Sequence, residues 1–426
     1  MKTTGNDESL AVFMESALIG TLYDDQPLAF EYAAAWLSQP AALALTPDIP
    51  LQAGKISTSF VHAFFENLLP EGEQRTLISL RYHVSTVYGL LAIIGGDTAG
   101  STVLLPAGQR PQPASYQRSS WEAINALLHG SDSAADESGE LAAGSESGPR
   151  LSISGAQFKL LVSIDRDGNP HLPLGNSPST HILKPDMVRP GIKLFASAAN
   201  ETIVMRAAHL CGLPTAAVSY RREVKACLVE RYDRYCDSAG VLRRHWQADF
   251  CQLSGNASDV KYEVDGGPTF AQCFALLRMH SVVPAIDQRN LLRWLFFNLY
   301  VGNNDSHAKN LSILATPEGL RLAPFYDLMC TRVYTGLSRQ FAFQIGGESL
   351  PGKIGAPQIQ LLAQALGVTP KYLRSIAGDM AGKVEAAIGL AANEIGLDLS
   401  PSELVMAERL QVKIAGIVKQ MRARIL

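Results

Sequence analysis

Gly302-Asn303-Asn304-Asp305-Ser306-His307-Ala308-Lys309-Asn310 is the stretch on which the reading turns. It follows an apolar run, Leu291 to Tyr300, that reads as a buried helix. It precedes two short runs, Leu311-Ser312-Ile313-Leu314 and Leu320 to Ala323, joined by the turn Thr316-Pro317-Glu318-Gly319, which read as a strand pair. Within it Asp305 and Asn310 stand five residues apart. A carboxylate beside an amide oxygen is what a group transfer to a hydroxyl requires: one group to take the proton, another to help hold a cation. The plain alternative is a polar turn that caps the preceding helix.

A second acid follows 17 residues after Asn310, in Pro324-Phe325-Tyr326-Asp327-Leu328, just past the strand pair. Phosphoryl-transfer sites pair a D-x-x-x-x-N loop with a later Asp that binds Mg²⁺, in this order. Mg²⁺ takes few protein carboxylates and completes its shell with substrate phosphates. Alone, Asp327 reads equally as a helix cap. Upstream, Ser179-Thr180-His181-Ile182-Leu183-Lys184 ends an apolar strand in a lysine suited to nucleotide phosphates, and Glu201, near the start of the next helix, is its expected ion-pair partner. Without that context the pair is a surface contact of little energy. Ser152-Ile153-Ser154-Gly155-Ala156-Gln157-Phe158-Lys159 is a small polar loop before a strand, able to turn backbone amides toward phosphates, though it matches neither a Walker nor a G-x-G-x-x-G pattern. Leu228-Val229-Glu230-Arg231-Tyr232-Asp233-Arg234 reads as a strand end or a hinge that offers groups to a nucleoside.

The rest of the 426 residues places these motifs. The expected class is α+β, a two-lobed protein-kinase-like fold with an extra N-terminal subdomain. The expected division is 1–105, a subdomain with strands at 17–22 and 101–105 and helices near 61–69 and 87–94. Then comes 106–149, a linker; then 150–235, a β-rich lobe; then 236–426, a helical lobe. Residues 130–149 carry five acidic and no basic side chains and no aromatic, so the segment reads as a disordered loop. The helical lobe shows helix periodicity at 355–366, 370–388 and 401–424. With 37 basic and 40 acidic residues, net charge −3, no overall field drives binding to nucleic acid or an anionic membrane. The six cysteines show no C-x-x-C spacing, which argues against a structural zinc site. MKTTGNDESL lacks the apolar stretch of a signal peptide and no run reaches 18 apolar residues, so a cytoplasmic location without a membrane partner is expected.

Together these motifs resemble the HipA family, kinase toxins of bacterial HipBA toxin–antitoxin pairs. Phe64-Phe65-Glu66-Asn67-Leu68-Leu69-Pro70, the Ser154-Gly155-Ala156-Gln157 loop with Lys159, the Lys184 strand, and the Glu230–Arg234 hinge follow the family's order. So do Asp249-Phe250-Cys251-Gln252, Lys261-Tyr262-Glu263, the Asp305 loop and Tyr326-Asp327. The resemblance implies a serine/threonine protein kinase using ATP and Mg²⁺. It makes Asp305 the catalytic base and Asn310 and Asp327 metal ligands; Lys309 in the same loop either neutralises the transferring phosphoryl charge or is simply solvated. Lys184, Lys159, the 154–157 loop, Glu230, Tyr232, Asp233 and His307 surround ATP, with His307 bracing the loop backbone rather than moving a proton. It implies autophosphorylation at Ser152 or Ser154, which would silence the site by charge repulsion. The implied partners are a HipB-like helix-turn-helix antitoxin, an aminoacyl-tRNA synthetase as substrate (glutamyl-tRNA synthetase foremost), and operator DNA through the antitoxin complex. Phe158 and the 130–149 insert depart from the family pattern and leave the target open. Two other readings are a phosphoinositide-like or small-molecule kinase, because Asp305-x-His307-x-x-Asn310 resembles that loop too, and a pseudokinase co-repressor scaffold.

Overall fold

The computed structural model describes residues 9–129, 158–189 and 191–426. The Ser152–Gln157 part of the small polar loop and the acidic 130–149 stretch lie outside them. The described chain forms two compact units: 9–120 with 158–180 and 233–259, and 121–129 with 181–232 and 260–426.

In the first unit, an antiparallel five-stranded sheet is ordered Lys55–Ile56, Ala29–Tyr32, Ala17–Tyr23, Ser9–Met14, Thr102–Pro106. Strand 17–22 was legible as a short apolar run; Ser9–Met14 alternates only as far as Val12, where a register shift puts Phe13 and Met14 in the interior as well. Ala29–Tyr32 packs against the Ser59–Glu66 helix, whose N-cap Thr58 accepts the amide of Val61. Phe30, Phe64 and Phe65 are completely buried there, each worth about 1.5–3 kcal/mol relative to exposure.

In the second unit, strands Val218–Arg221, Ala226–Glu230 and His181–Pro185 pair antiparallel in that order, with Cys227 opposite Lys184. The helices Ser197–Leu210, Pro284–Val301 and Pro401–Ile425 each pack against the long Pro370–Gly396 helix. Leu291, Trp294, Leu295, Phe296 and Phe297 of the second of these are fully buried, which is why the run reads as apolar on every face. The hairpin Ser312–Thr316 and Gly319–Leu322 follows, in the expected place. It is stapled to the Pro284–Val301 helix by the buried carboxylate of Asp287, which accepts from Leu322 N at 2.9 Å and from the Arg321 guanidinium.

Two stretches depart from expectation. The 106–149 segment expected as linker contains a strand, Ser115–Arg118, paired with Pro170–Leu174, and a helix, Trp121–His129. Every residue of that strand is exposed, so no apolar pattern marks it; the helix is held by one buried residue, Ile124, and by Arg221 lying 5.1 Å from the Trp121 ring. Helix was expected from about 240, yet Leu242–Arg244 pairs with Arg234–Cys236 and Gln247–Asp249 is also a strand. Three-residue strands are too short to leave a period.

Candidate active site

The loop that carries Asp305 begins where the Pro284–Val301 helix ends. Gly302 closes that helix at φ +72°, its amide donating to Asn298 O, a conformation that favours glycine. The chain then builds on side-chain amides. Asn303 N donates to Asn298 O at 2.9 Å and its Nδ2 to Asn298 Oδ1 at 2.8 Å. Asn303 Oδ1 in turn accepts from Asp305 N at 3.2 Å, and Asn304 N donates to Thr331 Oγ1 at 2.8 Å. Asn310 Nδ2 closes the loop by donating to the carbonyl of Asp305 at 3.1 Å. Such side-chain-to-backbone bonds replace the ladder bonds that a helix or sheet would supply. With that amide nitrogen engaged, the Oδ1 of Asn310 is the acceptor that a cation would use.

Asp327 is brought to the same place by a different route. Phe325 is fixed between two bonds, its amide to Pro214 O at 2.8 Å and its carbonyl from Ala216 N at 2.9 Å. Two residues on, Asp327 adopts φ +60°, a conformation uncommon for any residue but glycine and concentrated at functional sites. Its Oδ1 accepts from Lys184 Nζ at 2.7 Å, and Glu201 Oε1 accepts from the same ammonium at 2.6 Å. Glu201 is the fifth residue of the Ser197–Leu210 helix, as the sequence suggested, and its side chain is buried. Burial disfavours the Lys184 ammonium, but Asp327 and Glu201 outweigh it and raise its pKa. Asp327 and Glu201 thus share one ammonium.

Asp305 as a residue is exposed, yet its carboxylate sits among many protein atoms, and this partial loss of water raises its pKa. A hydrogen bond from the Tyr262 hydroxyl and the charge of Lys261 act in the other direction, while Asp327 adds to the rise. His307 is buried, with its ring edge-on to Tyr262 at 5.2 Å. Burial, reinforced by Lys261, pushes its pKa well down, so the imidazole is neutral. Lys309 is buried; its backbone carbonyl accepts from Tyr326 OH at 2.8 Å. Tyr326 lies tilted against Tyr232, with ring centroids 5.8 Å apart.

Of the residues expected at a site, the second unit thus brings together Lys184, Glu201, Asp305, His307, Lys309, Asn310 and Asp327. Tyr232 joins them through Tyr326, and Glu230 ends its strand exposed. Lys159 and Asp233 belong to the first unit. There the Asp233 carboxylate is occupied by Gly100 N at 2.7 Å and Arg234 Nη1 at 2.9 Å. Ser152, Ser154, Gly155, Ala156 and Gln157 lie outside the described residues. Three contributors had no assigned role in the sequence reading. Tyr262 bonds Asp305; Thr331 ties the loop to the segment after Asp327. Asn200 accepts from Cys330 N at 2.9 Å and donates to Cys330 O at 3.0 Å, binding Glu201's helix to that same segment. Their only signal was adjacency: Asn200 precedes Glu201, and Tyr262 sits in a motif quoted for its resemblance.

Comparison with known proteins identifies the family. The family described as HipA-like C-terminal domain matches residues 151–388, and that described as HipA N-terminal domain matches residues 10–105. The chain is 39% identical over 378 residues to Y4mE of Sinorhizobium fredii, provisionally named a kinase, covering 84% of this chain and 86% of that protein. It is 30% identical over 408 residues to the serine/threonine-protein kinase toxin HipA of Shewanella oneidensis, covering 91% and 90%. A solved Shewanella oneidensis complex of HipA, HipB and operator DNA matches with a TM-score of 0.77 and 27% identity, over 98% of this chain and 100% of that one. The expected α+β HipA-like architecture is therefore the fold of this chain.

Proposed function

The chain belongs to the HipA family, and on that premise we propose that it is an ATP-dependent serine/threonine protein kinase, the toxin of a toxin–antitoxin pair. The observation that supports this most directly is the convergence of Lys184, Glu201, Asp305, Asn310 and Asp327 in one unit, with Lys184 held at 2.6 and 2.7 Å between its two carboxylates. In this reading Asp305 orients the acceptor hydroxyl and takes its proton as the new O–P bond forms. Lys184 neutralises nucleotide phosphate charge, and Glu201 keeps it aimed. The donor set fits Mg²⁺: one carboxylate, Asp327, and one amide oxygen, Asn310, both hard oxygen ligands, with phosphates left to complete the shell. The ion, when bound, would offset the charge of the phosphate oxygens. Tyr232 and Tyr326 offer aromatic surface beside the nucleotide. Glu230 and Tyr232 are retained for the nucleoside, whereas the Oδ2 of Asp233 is engaged by Gly100 and Arg234 within the first unit.

The finer assignments extend this reading. The substrate is an aminoacyl-tRNA synthetase, glutamyl-tRNA synthetase foremost, whose phosphorylation arrests growth and favours persistence. A HipB-like antitoxin restrains the kinase and carries the complex to operator DNA; in Shewanella oneidensis, HipA, HipB and operator DNA form one complex. Phosphorylation at Ser152 or Ser154 places about −1.5 to −2 charge beside the nucleotide phosphates and shuts the site. The setting is the cytoplasm; among the described residues no single helix is long and apolar enough to cross a membrane.

Induced expression of the wild type and of Asp305→Asn, with labelled ATP added to lysates, tests the proposal. Growth arrest and one labelled band of synthetase size, both absent in Asp305→Asn, are expected. Equal arrest by both variants without labelling would favour the scaffold instead. Mass spectrometry of the ATP-treated wild type is expected to find phosphate on Ser152 or Ser154; an active kinase with neither serine modified would remove that switch.

A further inference from the structure

The Tyr262 hydroxyl donates to Asp305 Oδ1. The Tyr262 ring stands edge-on to His307, at 5.2 Å and 89°. Lys261 Nζ lies 5.6 Å from that ring. The next residue fixes the backbone: Glu263 N donates to Ala342 O at 3.1 Å, and Glu263 Oε2 accepts from Gln344 N at 3.0 Å and from Phe270 N at 3.3 Å. Three consecutive residues thus divide one task. Glu263 anchors the segment to two neighbouring elements, Lys261 adds positive charge, and Tyr262 reaches the carboxylate.

Resting on the kinase reading of this site, we propose that Tyr262 is a positioning residue for phosphoryl transfer, holding Asp305 by one oxygen so that the other faces the acceptor hydroxyl. A carboxylate at the end of an exposed loop side chain samples several rotamers, and only some present an oxygen to the acceptor. A phenol anchored by its own ring contact and backbone removes that freedom. It touches neither acceptor nor nucleotide in this role, so it acts on the chemical step rather than on binding. Glu263 supports it from behind; Glu263→Ala would loosen Tyr262 and weaken the same step by less.

The experiment is a double-mutant cycle on the full chain, read as phosphate transfer from ATP to an acceptor protein or to the chain itself. Tyr262→Phe keeps the ring contact with His307 and deletes only the hydroxyl. It is expected to lower kcat about tenfold, the loss of one hydrogen bond to a charged group, with the KM for ATP unchanged. In an Asp305→Asn background the same change is expected to have no further effect, because the oxygen being oriented no longer accepts the proton. An unchanged kcat in Tyr262→Phe, a loss confined to the KM for ATP, or an equal loss in both backgrounds would each overturn the proposal. Absence of any transfer by the wild type would instead overturn the kinase reading, and this inference with it.

Discussion

Among the described residues, a buried ionic cluster in the first unit and one in the second are built to opposite ends. In the first unit Asp97 has a fully buried side chain and accepts from Arg234 Nη2 at 2.9 Å, Arg244 Nη2 at 3.2 Å, Ser179 N at 3.1 Å and Ser179 Oγ at 2.8 Å. Asp233 places a second anion on Arg234, and each oxygen of Asp97 accepts at least two bonds. In the second unit Lys184 and Glu201 are as deeply buried, but Asp327, the other carboxylate on the same ammonium, is 38% exposed along its side chain. A cluster whose central carboxylate is enclosed by its donors holds the fold together. One that keeps a part-exposed carboxylate at φ +60° can still reach a ligand. Burial and short ion pairs alone do not distinguish structure from function; access of a carboxylate to solvent is the further mark.

The largest expected effect breaks the comparison on the functional side. Asp305→Asn should reduce phosphate transfer by at least about 100-fold, the usual scale of a lost general base, with the fold intact by circular dichroism and the melting temperature little changed. Retained activity would remove Asp305 from the chemistry. On the structural side, Asp97→Asn should cost about 3–5 kcal/mol, because it strands Arg244 in the interior without its anion and leaves Arg234 with Asp233 alone. Urea unfolding checks this, and a loss below about 1 kcal/mol would show the cluster to be open after all. Asp327→Asn should do the reverse. Its stability loss should stay below about 1 kcal/mol, since Lys184 keeps Glu201 and Asp327 already meets solvent. Its affinity for Mg-nucleotide should fall at least about tenfold.

The same segments show what a sequence makes legible. The Asp305 and Asp327 motifs, the hairpin between them and the Lys184 strand were readable because each has fixed spacing and an apolar element beside it. Asp97, Arg234 and Arg244 were not, because their meeting is a long-range contact between residues that share no local pattern. Tyr262 was missed for the same reason: its partner is 43 positions away. The Ser115–Arg118 strand escaped because all four side chains face solvent. The Trp121–His129 helix escaped because one buried isoleucine does not make a period.

Smaller effects sharpen the picture. Burial, with Arg221, pushes the pKa of His181 down to about 4, and His307 is driven the same way. The folded state then binds fewer protons than the unfolded one, so stability is lost as pH falls from about 6.5 toward 4. His181 alone should account for about 2 kcal/mol at pH 5. The raised carboxyls of Asp186, Glu263 and Asp305 oppose this at the acidic end. Melting curves at pH 7 and 5 should show the loss, and His181→Gln should reduce it; an unchanged slope would reject His181 as the cause. Gly302→Ala should cost about 1–2 kcal/mol through its φ of +72° and disturb the Asp305 loop, with activity falling alongside stability.

The most direct test of the central claim is calorimetric titration of the full chain with Mg-ATP, comparing the wild type, Asp305→Asn and Asp327→Asn. The open cluster predicts one Mg-dependent site, kept in Asp305→Asn and weakened at least about tenfold in Asp327→Asn. Equal affinity in all three, or binding indifferent to magnesium, would contradict the assignment of Asp327 to the metal and with it the reading of this site.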